Sequence, residues 1–250
     1  MILFIKRKEK DFRICVLSLF LFLFLIPSAQ AELRIDITRG VVEPLPVAIP
    51  DFTGKRTQEQ EIGQKIAFVI LSNLERSGLF RGIDPNAFIE KNVPLNIQPR
   101  FADWRVVGAQ ALINGGVKLE LDGRLRVEFR LWDVVAEQQM QGLAYHTAPD
   151  NWRRVAHKIS DAIYQRITGE EGYFDTRIIY IAESGPATHR IKRLAIMDQD
   201  GHNHKYLTSG LDLVLTPRFS PTTQEIAYLN YFNEEPNVYI QDIRSGRSER

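Results

Sequence analysis

The sequence predicts an α+β N-terminal domain followed by all-β propeller blades, with the propeller incomplete. Three observations lead there. A basic start and an apolar run close on a small-residue cleavage pattern at Ala31. Residues 32–171 mix two helical periodicities with strand alternation. From residue 172 the pattern changes to short strands that repeat. Composition sets the outer bounds. The 250 residues are 44% hydrophobic and 25% charged, which is ordinary globular usage and excludes disordered, collagenous and coiled-coil chains. A net charge of +1 argues against a nucleic-acid binder held by phosphate electrostatics. With one cysteine, Cys15, neither an intrachain disulfide nor a cysteine zinc site can form.

The leader is the first element. Lys6, Arg7, Lys8, Lys10 and Arg13 precede the apolar run from Ile14 to Ile26, which only Ser18 interrupts. The run is about 13 residues, short of the ~20 needed to span a bilayer. Ala29-Gln30-Ala31 then gives an A-x-A site, so residues 1–31 read as a signal peptide cleaved after Ala31. The leader holds five of the 32 Lys+Arg and two of the 31 Asp+Glu, so its removal leaves a net charge of −2. It also takes Cys15 with it, and the exported chain must fold on its core alone in an oxidising compartment.

The N-terminal domain, 32–171, opens with Leu33, Ile35 and Ile37 alternating with Arg34, Asp36 and Thr38, a strand pattern at a terminus. Leu45 to Pro50 reads as a second strand, which its prolines confine to an edge or to strand ends. Thr57 with Gln60 fits a capping box for a helix carrying Ile62, Ile66, Val69, Ile70 and Leu74 and ending at Gly78. Phe80 to Ile83 fits a short strand. A strand-rich section begins between Trp104 and Leu121, with Asp122-Gly123 as a hairpin turn. Leu125, Val127, Phe129 and Leu131 alternate with charged residues and mark a half-buried strand, with Gln138 to Thr147 as its neighbour. Asp150 is placed as the cap of a second helix, with Trp152, Val155, Ile159, Ile163 and Ile167 on one face and Gly169 at its end.

In the last region, 172–250, Ile178 to Ala182 resembles Glu225 to Asn230, and Leu194 to Gly201 resembles Val238 to Gly246. The offset is about 44 to 48 residues, the period of a propeller blade. Asp198–Gly201 and Asp242–Gly246 are the expected turns. The first blade and most of a second are expected.

Pro217-Arg218-Phe219-Ser220-Pro221, then Glu225 to Tyr228 and Val238 to Asp242, resemble the repeat of the periplasmic TolB family, as does Ile196 to Gly201 followed by Leu207-Thr208. The edge segment Glu32 to Ile37 and the Ile49 to Phe52 stretch resemble the same family. The resemblance implies an α/β domain behind a cleaved signal, then a six-bladed propeller, and the present chain is expected to be its amino-terminal portion. It implies an interaction scaffold of the Tol-Pal system, active in outer-membrane integrity and division. The partners implied are TolA and Pal, with membranes reached only through them, no nucleic acid and no cofactor. Glu32, Leu33, Arg34, Ile35, Asp36, Ile37, Thr38 and Arg39 correspond to the arm that engages TolA. A propeller binding a carbohydrate or small ligand is the alternative.

Enzyme signatures are missing from the sequence. It has no G-x-S-x-G, H-E-x-x-H, Walker or C-x-x-C motif. His202 and His204, after Asp198 and Asp200, read as an exposed hairpin turn rather than a metal loop, since the acid an EF-hand requires is absent. His157 and Asp161 read as a surface pair one helical turn apart. Arg124, Arg126 and Arg130, with Glu128, read as a solvated strand face. Trp104, Trp132 and Trp152 are expected in the core.

Overall fold

The computed structural model describes Leu33, residues 43–233 and residues 235–250. The leader and seven of the eight arm residues lie outside that set.

The N-terminal region is a five-stranded sheet with two long helices on one face. Its elements are β1 (Leu45–Ala48), α1 (Thr57–Arg76), β2 (Phe80–Gly82), the short α2 (Phe101–Val106), β3 (Ala111–Leu119), β4 (Leu125–Asp133), β5 (Gln138–Thr147) and α3 (Trp152–Thr168). The strand order is β2-β1-β3-β4-β5. β1 runs parallel to both neighbours, and β3, β4 and β5 form an antiparallel meander. The alternation in β4 does what the pattern requires. Leu125, Val127, Phe129 and Leu131 are fully buried beneath α1 and α3. Each such side chain contributes roughly 1.5–3 kcal/mol by leaving water. The opposite face of the sheet carries a second cluster, in which Trp104 and Trp132 pack with Phe88 and Phe101. Trp152 is partly buried against the main core.

Three local expectations shift. β1 is an interior strand despite Pro46. The β1–β3 ladder begins only at Val47 opposite Ala111, so the donor that Pro46 lacks falls before it. Its carbonyl still accepts from the Gln110 N–H at 3.0 Å. The cap of α1 is one residue earlier than predicted. Glu59, not Gln60, reaches back, and its carboxylate accepts from the Lys55 and Arg56 N–H groups at 2.8 and 3.0 Å. Asp150 does not cap α3. Residues Pro149–Asn151 form a 3₁₀ turn that leads into the helix, and Asn151 is the cap position. Gly169 ends α3 with φ 81°, the left-handed conformation that glycine adopts without steric cost.

The Asn114-Gly115-Gly116 stretch lies inside β3, and a packing constraint explains it. A Cβ on Gly115 would stand 2.2 Å from the Phe52 ring, which is itself buried. Glycine is what leaves room for that ring against the strand.

The last region consists of two antiparallel sheets. β6 (Arg177–Ser184), β7 (Ile191–Asp198) and β8 (Lys205–Tyr206) form one. β9 (Leu213–Phe219), β10 (Glu225–Phe232), β11 (Glu235–Asp242) and β12 (Ser248–Glu249) form the other, in the order β12-β11-β10-β9. The repeat maps β6–β7 onto β10–β11, each pair antiparallel along its length. Both turns close on the N–H of a glycine, three residues after the aspartate in the first and four in the second. The Gly201 N–H donates to the Asp198 carbonyl and the Gly246 N–H to the Asp242 carbonyl, each at 2.9 Å. Leu194, Val214, Ile226 and Tyr228 form one core across the two sheets. The sheets do not close into a ring. The first has three strands and the second four among the described residues, because Leu213–Phe219 pairs with β10.

Candidate functional site

Of the predicted arm, only Leu33 falls among the described residues, and it packs partly buried against the main core. Glu32, Arg34, Ile35, Asp36, Ile37, Thr38 and Arg39 lie outside them.

A cleft lies beside the start of α1. It holds about 430 Å³ and is lined by Thr53, Lys55, Arg56, Leu95, Lys118 and Arg126, with Glu59 and Glu128 among its acids. Neither acid is available as a base. Glu59 is almost fully buried, and besides its two cap bonds it accepts from the Leu119 N–H at 2.9 Å. Burial pushes its pKa up, but these backbone bonds outweigh burial and hold it below the ordinary carboxylate value. Glu128 sits between Arg126 and Arg130 at 2.5 and 2.6 Å. That face of β4 is therefore a half-buried ion-pair ladder rather than a fully solvated stripe, and Arg124 leaves it to pair with Asp122 in the hairpin. The lining residues of the cleft include no nucleophile–base couple.

The second site joins residues that sequence reasoning had placed apart. His157 is not at the surface. It is 1% exposed, on the face of α3 against α1 and the β7–β8 turn. Asp200, in that turn, has its side chain 6% exposed, and its carboxylate accepts from Arg153 Nε at 2.9 Å and Nη2 at 2.7 Å. The pair read as exposed is thus docked on α3, which contributes Arg153 and His157 one turn apart. His202 stays at the rim, with Nδ1 2.8 Å from Arg153 Nη2. Asp161, the predicted partner of His157, instead accepts the Phe174 and Asp175 N–H groups where the chain leaves α3. Burial raises the pKa of Asp161 despite those bonds.

Asn73 of α1 sets the chemistry here. It is fully buried and every hydrogen-bonding position is used. Its Oδ1 accepts from Arg76 and from Gln199 of the turn, at 2.5 and 3.1 Å. Its Nδ2 donates to Ser160 Oγ at 3.0 Å and stands 2.9 Å from His157 Nδ1. Nδ1 must therefore accept, so the imidazole proton sits on Nε2. That atom has no hydrogen-bond partner and faces Asp200 Oδ2 at 3.5 Å. His157, Asp198 and Asp200 lie close enough to hold an ion, their ligand atoms within 4.8 Å of one another. The tautomer opposes it. A metal on Nε2 would require the proton on Nδ1, against the Asn73 amide donor, and the Arg153 guanidinium already occupies Asp200. The cluster is a proton-bearing network, not a ligand set. The sequence signal for it was Arg153 and His157 at i and i+4 on a helix, with Asp198 and Asp200 closing a β-turn after a strand.

An α/β domain whose last helix is pinned to the first of two blade-like antiparallel sheets defines a propeller-bearing protein. Two family models match it in tandem. That of the TolB amino-terminal domain matches residues 33–140 and that of the TolB β-propeller domain matches residues 164–250. The chain belongs to the TolB family. It is 58% identical over 221 residues to the Tol-Pal system protein TolB of Paramagnetospirillum magneticum, covering 88% of this chain and 49% of the relative. It is 52% identical over 241 residues to that of Pelagibacter ubique, covering 92% and 54%. The crystal structure of TolB from Acinetobacter baumannii superposes with a TM-score of 0.68 at 29% identity, over 87% of this chain and 52% of that one. The chain thus spans about half the length of these relatives. No helix among the described residues is long and apolar enough to cross a membrane.

Proposed function

We propose that the chain acts as a periplasmic, non-enzymatic interaction scaffold of the Tol-Pal system. It links the inner-membrane protein TolA to the outer-membrane lipoprotein Pal, in outer-membrane integrity and constriction during division. The observation that carries this reading is the tandem of TolB models, in family order, together with the identities above half to curated TolB proteins. The proposed division is a leader at 1–31 removed after Ala31, an N-terminal domain at 32–171 and blades at 172–250.

Glu32 to Arg39 is the proposed TolA-binding arm. Alternating apolar and charged residues suit addition to a sheet edge, where backbone hydrogen bonds supply affinity and alternate side chains supply specificity. The packing of Leu33 on the core supports a state in which the arm rests on its own protein. A switch between resting and partner-bound arms requires the two to lie within a few kcal/mol. Deletion of Glu32–Thr38 tests this. TolA binding, read by titration calorimetry, should be lost, while Tm moves by only a few degrees. In a full-length homologue with the same deletion, Pal binding should persist. Unfolding of the N-terminal domain on deletion makes the segment a structural strand and defeats the arm.

A further inference from the structure

We propose that His157 is a proton-sensitive latch between the helical layer and the first blade sheet, holding the β7–β8 turn down when neutral and releasing it when protonated. The argument rests on geometry. With Asn73 oriented by Arg76 and Gln199, its amide donates to Nδ1 at 2.9 Å. Protonation places a second N–H on Nδ1, and two donors then face each other at a distance suited to one hydrogen bond. Asn73 cannot turn to accept without presenting its NH₂ to Arg76 and Gln199. Accommodating the imidazolium requires separating α3 from α1, or turning Asn73 at the cost of its bonds from both Arg76 and Gln199, and Gln199 belongs to the turn. The same motion loosens Asp200 from Arg153, since Asp200 lies one residue further along.

The charges facing His157 are mixed. The turn presents Asp198 and Asp200, with His202 at the rim. α3 presents Arg153 and Asp161, the link to β6 presents Asp175, and α1 presents Arg76 on the far side of Asn73. Burial is the largest influence on the ring and lowers its pKa, aided by Arg153, while Asp200, Asp198 and Asp175 pull the other way; the balance lies below the ordinary histidine value. A group whose pKa is lower when docked than when released favours the released state as pH falls through the window between the two values. The latch is closed at neutral pH and opens in mild acid.

The test uses the full chain. Long-range ¹H–¹⁵N spectra of the histidine rings should show His157 as the Nε2–H tautomer, titrating below its ordinary value. Hydrogen exchange in the 199–206 turn, corrected for intrinsic rates, should lose protection as pH falls below about 6.5, by at most about tenfold per pH unit, the limit for one proton. His157→Gln should remove that pH dependence, and His202→Gln should leave it in place. An Nδ1–H tautomer, turn protection independent of pH, or pH dependence surviving in His157→Gln would each overturn the proposal. The spectra of the unaltered chain decide the tautomer even where a variant fails to fold.

Discussion

Replacing Glu59 with glutamine keeps the shape of the side chain and removes one acceptor and one charge. In the native chain Oε2 serves the Lys55 and Arg56 N–H groups and Oε1 serves Leu119. Glutamine offers one oxygen, so its NH₂ must face either the cap pair or the end of β3. The smallest loss is one charge-assisted bond, roughly 1.5–3 kcal/mol, and a buried N–H is left unpaired at about 1–3 kcal/mol. A neutral amide is cheaper to bury than a carboxylate, which offsets part of this, so the expected net cost is about 2–3 kcal/mol. At roughly 2–4 °C per kcal/mol for a chain of this size, Tm should fall by about 5–10 °C. All three tryptophans, Trp104, Trp132 and Trp152, precede the blades, so their fluorescence in urea follows the region the change affects. The pH dependence gives a second reading. The carboxyl is held below its ordinary value in the folded chain, so its contribution is present above about pH 4.5 and lost as pH falls through the folded value. Glu59→Gln should be less sensitive to acid across that window. A variant within 0.5 kcal/mol of the parent would refute the claim that Glu59 ties α1 to β3.

Two further changes probe the two regions separately. Gly115→Ala drives a methyl into the buried Phe52 ring and should cost about 1–3 kcal/mol by urea denaturation, with part regained in Gly115→Ala/Phe52→Leu, where the ring is gone. Ile226→Ala removes a fully buried side chain from the small core of the two blade sheets and should cost about 2–4 kcal/mol there. Its loss of exchange protection should be concentrated in β7, β10 and β11, with the fluorescence-monitored N-terminal transition little changed.

The elements that sequence made legible are those in which one side chain pattern has one solution. β4 alternates strictly because one of its faces is covered by helices. α3 repeats at helical spacing and stops at a glycine with positive φ. The blade sheets could be read from their repeat, since the equivalent strands pair antiparallel in the same way. What could not be read depended on long-range partners. Pro46 is tolerated inside the sheet because of where the neighbouring ladder starts, and the two residues of β1 after it give no hint of that. Thr57 and Gln60 fit a cap equally well as a pattern, but the Leu119 N–H lies in reach of Glu59 and selects it. His157 and Asp200 each look like surface residues alone. They are buried because α3 and the turn cover each other, a contact 43 positions apart in sequence that no local periodicity records.

The proposed TolA-binding element is the Glu32–Arg39 arm. Titration of the isotope-labelled chain from Glu32 onward with TolA, followed by backbone amide shifts, tests this. The account predicts large changes at residues 32–39, smaller ones at core residues in contact with Leu33, and none along β9 to β12. Shifts concentrated in the blade sheets with the arm unmoved, or no binding at all, would contradict it.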